Sequence, residues 1–237
     1  MRPLNRLVAA SGLGTLAVAA AALLLAVLAP APAAAAELLG RVRLLQDGKP
    51  VARADFGGAV VWLTPRSATA PKPPAAPLSM ATKGKEFSPH VLVVPAGARV
   101  RFPNLDPILH NVFSVSGKNS FDVGLYGRGE GEEVVLGHPG VVRVFCNVHH
   151  SMVGYLVVVE TAHHAVPAAD GGFRFVGVPA GPATLAVWHE RAEPVLREVT
   201  LPASGELTID LELSRPRVPQ HLNKFGKPYR REGRRAY

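Results

Sequence analysis

Beyond residue 36 the chain is a series of short apolar runs separated by clusters of Gly, Pro and Asp. The runs predict strands near 38–46, 58–64, 90–94, 98–103, 110–115, 132–136, 141–146, 153–160, 172–177, 183–189, 195–201 and 206–212. The breaks carry turn chemistry, as in Asp47-Gly48-Lys49-Pro50, Pro95-Ala96-Gly97, His138-Pro139-Gly140 and Pro179-Ala180-Gly181-Pro182. After residue 36 the pattern sustains no capped helical period. Many short strands at this spacing predict an all-β chain of sandwiches or barrels.

The first 36 residues follow a different rule. Arg2 and Arg6 precede an Ala/Leu/Val run from Leu7 to Ala29, then Pro30, Pro32 and the small residues Ala33 to Ala36. That order of charge, apolar stretch and small residues is the pattern of a secretory signal over 1–36, cleaved near Ala36. An uncleaved membrane anchor is the rival reading, since the run is long enough to span a bilayer. The expected location is the periplasm, with membrane attachment only if the signal is retained.

Charge is unevenly placed. The formal net charge is +8. Residues 214–237 hold eight Lys and Arg against Glu232, a net of +7, and Arg2 and Arg6 lie in the signal; residues 37–213 are left at −1. The folded part is thus nearly neutral, and 214–237 reads as a basic tail with a solvated, poorly ordered end. Its aromatic residues Phe225, Tyr229 and Tyr237 leave docking onto the protein or a partner open. Nucleic acid is not an expected partner of an exported chain. A Pro/Ala-rich interval over 66–78 has no packing period and reads as a linker.

The candidate chemistry lies in the stretch VFCNVHHSM, Val144 to Met152, which contains the only cysteine. No disulfide within the chain is possible. An exposed thiol in an oxidising compartment is vulnerable, and a metal that holds the sulfur as thiolate protects it. Cys146, His149 and Met152 have the spacing C-x2-H-x2-M after an apolar strand, and His110 opens another apolar strand. One thiolate, two imidazoles and a weak thioether form the donor set of a blue-copper electron-transfer site. Zinc prefers four firm N, S or O ligands. A cluster held by four thiolates is excluded with one cysteine, as is a copper pair bridged by two. The bland alternatives are a small buried Cys and a Met that fills the core. His90, His138, His163, His164 and His189 read as surface or core residues, and Phe121 to Tyr126 as a packed loop.

From Phe87 to Glu160 the chain resembles the cupredoxin family, nearest its plastocyanin/amicyanin branch. The matching residues are Phe87-Ser88-Pro89, VVPAGARVRFPN from Val93 to Asn104, His110-Asn111-Val112 and the Cys146–Met152 loop. The resemblance implies a Greek-key β-sandwich over 79–160 and one type-1 copper site with ligands His110, Cys146, His149 and Met152. It also implies a supporting role for Asn111, which in the family ties the two ligand segments together by a hydrogen bond. One departure stands out: relatives usually have Pro after the late His, where this chain has His150.

The flanks resemble the two halves of a carboxypeptidase-regulatory-like, or transthyretin-like, β-sandwich. The carriers are the Gly48-Lys49-Pro50-Val51 turn leading to Val60 to Pro65, then Asp170-Gly171-Gly172-Phe173 and Val178-Pro179-Ala180-Gly181. This predicts a smaller sandwich split over 37–65 and 161–213, with the copper unit inserted between the halves; tandem units are the alternative. Insertion predicts that Trp62 and Trp188 share one core.

These readings predict a periplasmic blue-copper protein that transfers single electrons, with a redox partner protein such as an amine dehydrogenase or a cytochrome. The same ligands would serve copper storage or delivery, and the flanking sandwich would also suit a carbohydrate- or protein-binding module with structural copper. No nucleophile–base pair or paired carboxylates points to an enzyme.

Overall fold

A computed structural model describes residues 35–51, 55–216 and 218–229. The expected signal falls almost wholly outside the described residues; only Ala35 and Ala36 are seen, at the start of the first strand.

The described chain is all-β, with two single-turn 3-10 segments. In order the strands are β1 (Ala35–Gln46), β2 (Lys49–Pro50), β3 (Ala59–Pro65), β4 (Leu78–Ser79), β5 (Ala81–Lys83) and β6 (Glu86–Ser88). There follow β7 (Val91–Pro95), β8 (Ala98–Arg101), β9 (His110–Ser114), β10 (Phe121–Tyr126), β11 (Glu133–Leu136) and β12 (Gly140–Cys146). The last are β13 (Val153–Val159), β14 (His163–Ala165), β15 (Gly172–Pro179), β16 (Gly181–His189), β17 (Val195–Leu201) and β18 (Leu207–Glu212).

Pairing divides these strands into two sets. Strands β4 to β13 pair among themselves: one sheet has the order β10-β9-β12-β13-β7, a second β11-β8-β4, and β5 and β6 form a hairpin. Met80, Val100, Phe102, Val144 and Leu156 fill the space between the two larger sheets. Strands from the beginning and end of the chain form the other set, with sheets β15-β1-β18 and β14-β3-β16-β17 around Val42, Leu63, Phe175, Leu185 and Ile209. The segment between Pro65 and Leu78 holds no strand.

A third cluster joins the sets. Phe113, Phe145, Tyr155 and Val157, from the outer face of the β9-β12-β13 sheet, meet Val60 of β3 and Trp188 of β16. Both faces of that sheet are therefore covered, and β9 and β13 are buried along their whole length. A strand buried on both faces reads as a continuous apolar run, whereas β1, with one face in water, alternates exposed and buried positions. Trp62 and Trp188 both belong to this joining layer. They lie on the face turned toward the intervening strands, not in the core of their own sandwich.

Two expectations need correction. Phe121 to Tyr126 is not a loop but the edge strand β10, paired with β9. Its register shifts between Asp122 and Leu125, where Gly124 has φ +78°, and this irregularity breaks the alternation that marks a strand. The tail is not a solvated end over its described part, since residues 218–229 pack on the Cys146–Met152 loop, as set out below.

Candidate metal centre

Cys146 is the last residue of β12 and His110 the first of β9. The two strands pair with Cys146 opposite Val112. His110, two residues from Val112, therefore lies on the same face as Cys146 and diagonal to it. The cysteine sulfur and the His110 Nδ1 are 3.7 Å apart, and both residues are fully buried.

The third donor comes from the hairpin loop. Phe145 pairs with Val153 across β12 and β13, so residues 146–152 form the connection. The Met152 N–H donates to the His149 carbonyl oxygen at 3.0 Å, which curls the loop inward. That turn brings His149 Nδ1 to 3.8 Å from the Cys146 sulfur and packs Met152, 2% exposed, into the same apolar cluster as Cys146. His149 is half-buried. His150 is exposed, and its ring lies against Tyr229 with centroids 3.6 Å apart and planes tilted by 33°.

The donor geometry suits a small, soft metal ion. The sulfur and the two imidazole nitrogens all lie within 4.8 Å of one another. Bonds of about 2.3 Å to sulfur and 2.0–2.1 Å to nitrogen, opened to ~120°, separate the two atoms by about 3.8 Å. The two sulfur–nitrogen distances match that spacing. Among the described residues this is the one His/Cys/Asp/Glu group so gathered.

Protonation favours ligation. His110 Nε2 is 2.9 Å from Asp106 Oδ2, so Nε2–H donates to the carboxylate and the Nδ1 lone pair faces the sulfur. Asp106 in turn accepts from the Gly84 N–H at 2.7 Å and the Lys85 N–H at 3.0 Å. The Lys85 amide, then Gly84 and His110, hold its carboxyl below the usual carboxylate range against the opposing effect of burial. For His149, burial first and then the neighbouring His110 and Lys85 hold the imidazole below its ordinary value, which favours a free ring nitrogen.

Asn111 stands behind His110, 2% exposed. Its amide donates to Asp122 Oδ1 at 2.6 Å and to the Gly124 carbonyl at 2.7 Å, both on β10. Its own Oδ1 is buried without a partner. The link from this asparagine to the Cys146 loop runs indirectly, through Asp122 and Lys224. Asp106 is the functional residue that pattern reading missed. Its sequence signal is a single charge, four residues before His110, in the otherwise uncharged segment Pro103 to Leu109.

The molecule is thus an all-β protein with a buried thiol and two imidazoles converging at one end of a sandwich. No protein-family model matches the sequence, and no curated protein matches it. Among solved structures the chain is similar to the copper-containing nitrite reductase NirK from Thermus scotoductus SA-01, at 26% identity over 38% of this chain and 26% of that one, TM-score 0.35. It thus spans about a quarter of that enzyme. It is also similar to a purple cupredoxin from Nitrosopumilus maritimus, at 23% identity over 35% of this chain and 99% of that one, TM-score 0.32. Amicyanin from Paracoccus versutus gives 20% identity over 36% and 84% of the two chains, TM-score 0.34.

Proposed function

We propose that this chain is an exported, periplasmic protein that binds one copper ion at His110, Cys146, His149 and Met152 and passes single electrons through it. The observation that carries the proposal is the approach of His110 and His149 Nδ1 to the Cys146 sulfur at 3.7 and 3.8 Å, with Met152 buried in the same apolar cluster as Cys146. Copper held there would supply reversible one-electron exchange, its potential tuned by the Met152 thioether and by the dryness around the sulfur. The chain's own task is to keep that geometry fixed. β9 and β12 hold His110 and Cys146 in register, Asp106 fixes the His110 tautomer, and the apolar cluster excludes water from the sulfur.

His149 is the route by which electrons enter and leave, because it is the one imidazole donor with an edge toward solvent. Its surroundings suit a protein partner. Val148 beside it, Leu105 and Leu109 ahead of His110, and Leu125 on β10 are all exposed. Exposed apolar residues next to the donors in sequence or strand register would suit a docking protein.

The outer set of strands is read as a carboxypeptidase-regulatory-like sandwich with the copper unit inserted between its halves. In support, β1 pairs with β15 and β18, while Lys49–Pro50 folds back on β1 and Asp170 to Phe173 leads into β15.

An anaerobic copper titration of the mature chain, followed by absorption and EPR, tests the function. One equivalent of Cu(II) is expected to produce an intense thiolate-to-copper band that bleaches on reduction and returns on oxidation. A colourless chain whose Cys146 stays freely reactive with copper present would defeat the proposal. Copper that is held without cycling and is surrendered to an acceptor would favour delivery over electron transfer.

A further inference from the structure

Residues 218–229 belong to neither sandwich, yet they cross the outer side of the Cys146–Met152 loop and are held there at three points. The His221 ring lies flat on Phe145, with centroids 4.0 Å apart and planes within 10°. The Lys224 N–H donates to Asn147 Oδ1 at 3.2 Å. The Tyr229 ring lies against His150, with centroids 3.6 Å apart and planes tilted by 33°. Phe145, Asn147 and His150 are the immediate neighbours of the donors Cys146 and His149. Within β12 the adjacent Phe145 and Cys146 point to opposite sides. The segment therefore grips the loop from outside while the sulfur faces the core.

Lys224 does more than contact the loop. Its Nζ donates to Asp122 Oδ2 at 2.7 Å, and its side chain is only 22% exposed. Burial alone would raise the Asp122 carboxyl, but the bonds from Lys224 and Asn111 outweigh it and hold the group below the usual carboxylate range. A continuous chain of bonds, Asn111–Asp122–Lys224–Asn147, thus ties the residue after His110 to the residue after Cys146. A tight turn shapes the bridge: Asn223 Oδ1 accepts from the Phe225 and Lys227 N–H groups, and the Gly226 N–H donates to the Asn223 carbonyl. Tyr229 closes the far end with its hydroxyl buried.

We propose that residues 218–229 form a clasp that locks the donor loop shut, with Lys224 as its positioning residue, so that access to the Cys146 sulfur and exchange of the metal both require the clasp to lift. The part concerning metal exchange rests on the copper reading; the part concerning the sulfur does not. A basic segment more than 70 residues distant in sequence thereby becomes part of the centre.

Three proteins test this: the full mature chain, its Lys224→Met variant, and a chain ending at Pro216. The first measurement is the rate at which metal-free Cys146 reacts with an aromatic disulfide reagent. The second is the rate at which the Cu(I) form loses copper to a strong chelator. Removing the clasp is expected to raise both rates roughly 10–100-fold, the range seen when groups supporting metal ligands are lost. Lys224→Met should move both in the same direction by less. Equal Cys146 reactivity in all three folded proteins would overturn the proposal. If the shortened chain loses its near-UV circular dichroism, Lys224→Met decides alone, and an unchanged thiol rate in it overturns the clasp. A thiol unmasked by shortening in a chain that binds no copper would leave the clasp standing and remove the electron-carrier reading.

Discussion

The His110 ring is oriented from behind by Asp106, and that carboxylate is itself fixed by two backbone N–H groups of the β5–β6 turn. Replacing it with a neutral amide of the same shape should separate orientation from packing. In Asp106→Asn one amide edge must present N–H groups toward donors that now meet a carboxylate oxygen, so at least one buried donor loses its acceptor. Copper affinity measured by competitive titration is expected to fall by roughly 10–100-fold, with the fold retained. An unchanged affinity would show that the ring is held by packing alone. The gathering of His110, Cys146 and His149 was legible because each carries a distinctive side chain at a telling place, Cys146 and His149 three residues apart and His110 opening an apolar run. Asp106 was not. Its role depends on a turn that reaches it from residues 84 and 85, and no local pattern encodes that approach. His150, which follows the candidate ligand His149, is turned another way. The loop points His149 toward the sulfur and His150 toward Tyr229.

Among the elements, the long apolar strands were readable and the short or irregular ones were not. β9, β12 and β13 are Val- and Phe-rich because their sheet is covered on both sides, and β1 alternates because one face meets water. β4, β5 and β6 span only two or three residues each, too few to show a period. The edge strand β10 was hidden by its glycine and its shifted register. Glycine has a specific task just before β11. Gly131 has φ +70°, and a Cβ added there would sit 1.8 Å from the Phe102 carbonyl oxygen. Backbone cannot yield as a flexible side chain can, so relief would require β8 and β11 to separate where the Phe102 N–H meets the Glu132 carbonyl. Gly131→Ala is expected to destabilise the fold by about 1–3 kcal/mol. Urea unfolding checks this, the midpoint falling with little change in slope. An unaltered midpoint would mean that the turn relaxes without cost.

Among the described residues, the joining layer packs the two sets of strands against each other. Trp188 meets Tyr155 with ring centroids 5.1 Å apart, and Phe113 and Phe145 complete the contact. Phe145 thus touches the outer sandwich and the clasp through His221 while its neighbour Cys146 faces the inner core. Long-range contacts of this kind leave no trace in a local pattern, which is why the aromatic residues of the tail left docking open but did not say where it packs. The layer also contains a pH-sensitive tie. His90, just before β7, lies 2.7 Å from Glu190, just after β16, and stands edge-on to Tyr155. The hydrogen bond to Glu190 outweighs burial and raises the His90 imidazole above its ordinary value. A raised value means that the folded state holds its proton more tightly than the unfolded chain. The stability this pair adds is therefore fully present below about pH 6.5 and is lost as pH rises through the folded value. His189, 3% exposed, acts in the opposite sense: burial lowers its value, so its effect is to weaken the fold as pH falls. The wild-type profile mixes both effects, and comparison with His90→Gln separates them. The difference in Tm between the two proteins is expected to be largest near about pH 5.5 and to shrink by about pH 8.5. The His90 side chain is 41% exposed, so solvent screening keeps the effect modest and salt should reduce it further. A difference in Tm that is constant across this range would show that His90 serves the joint by packing on Tyr155 and not by its charge.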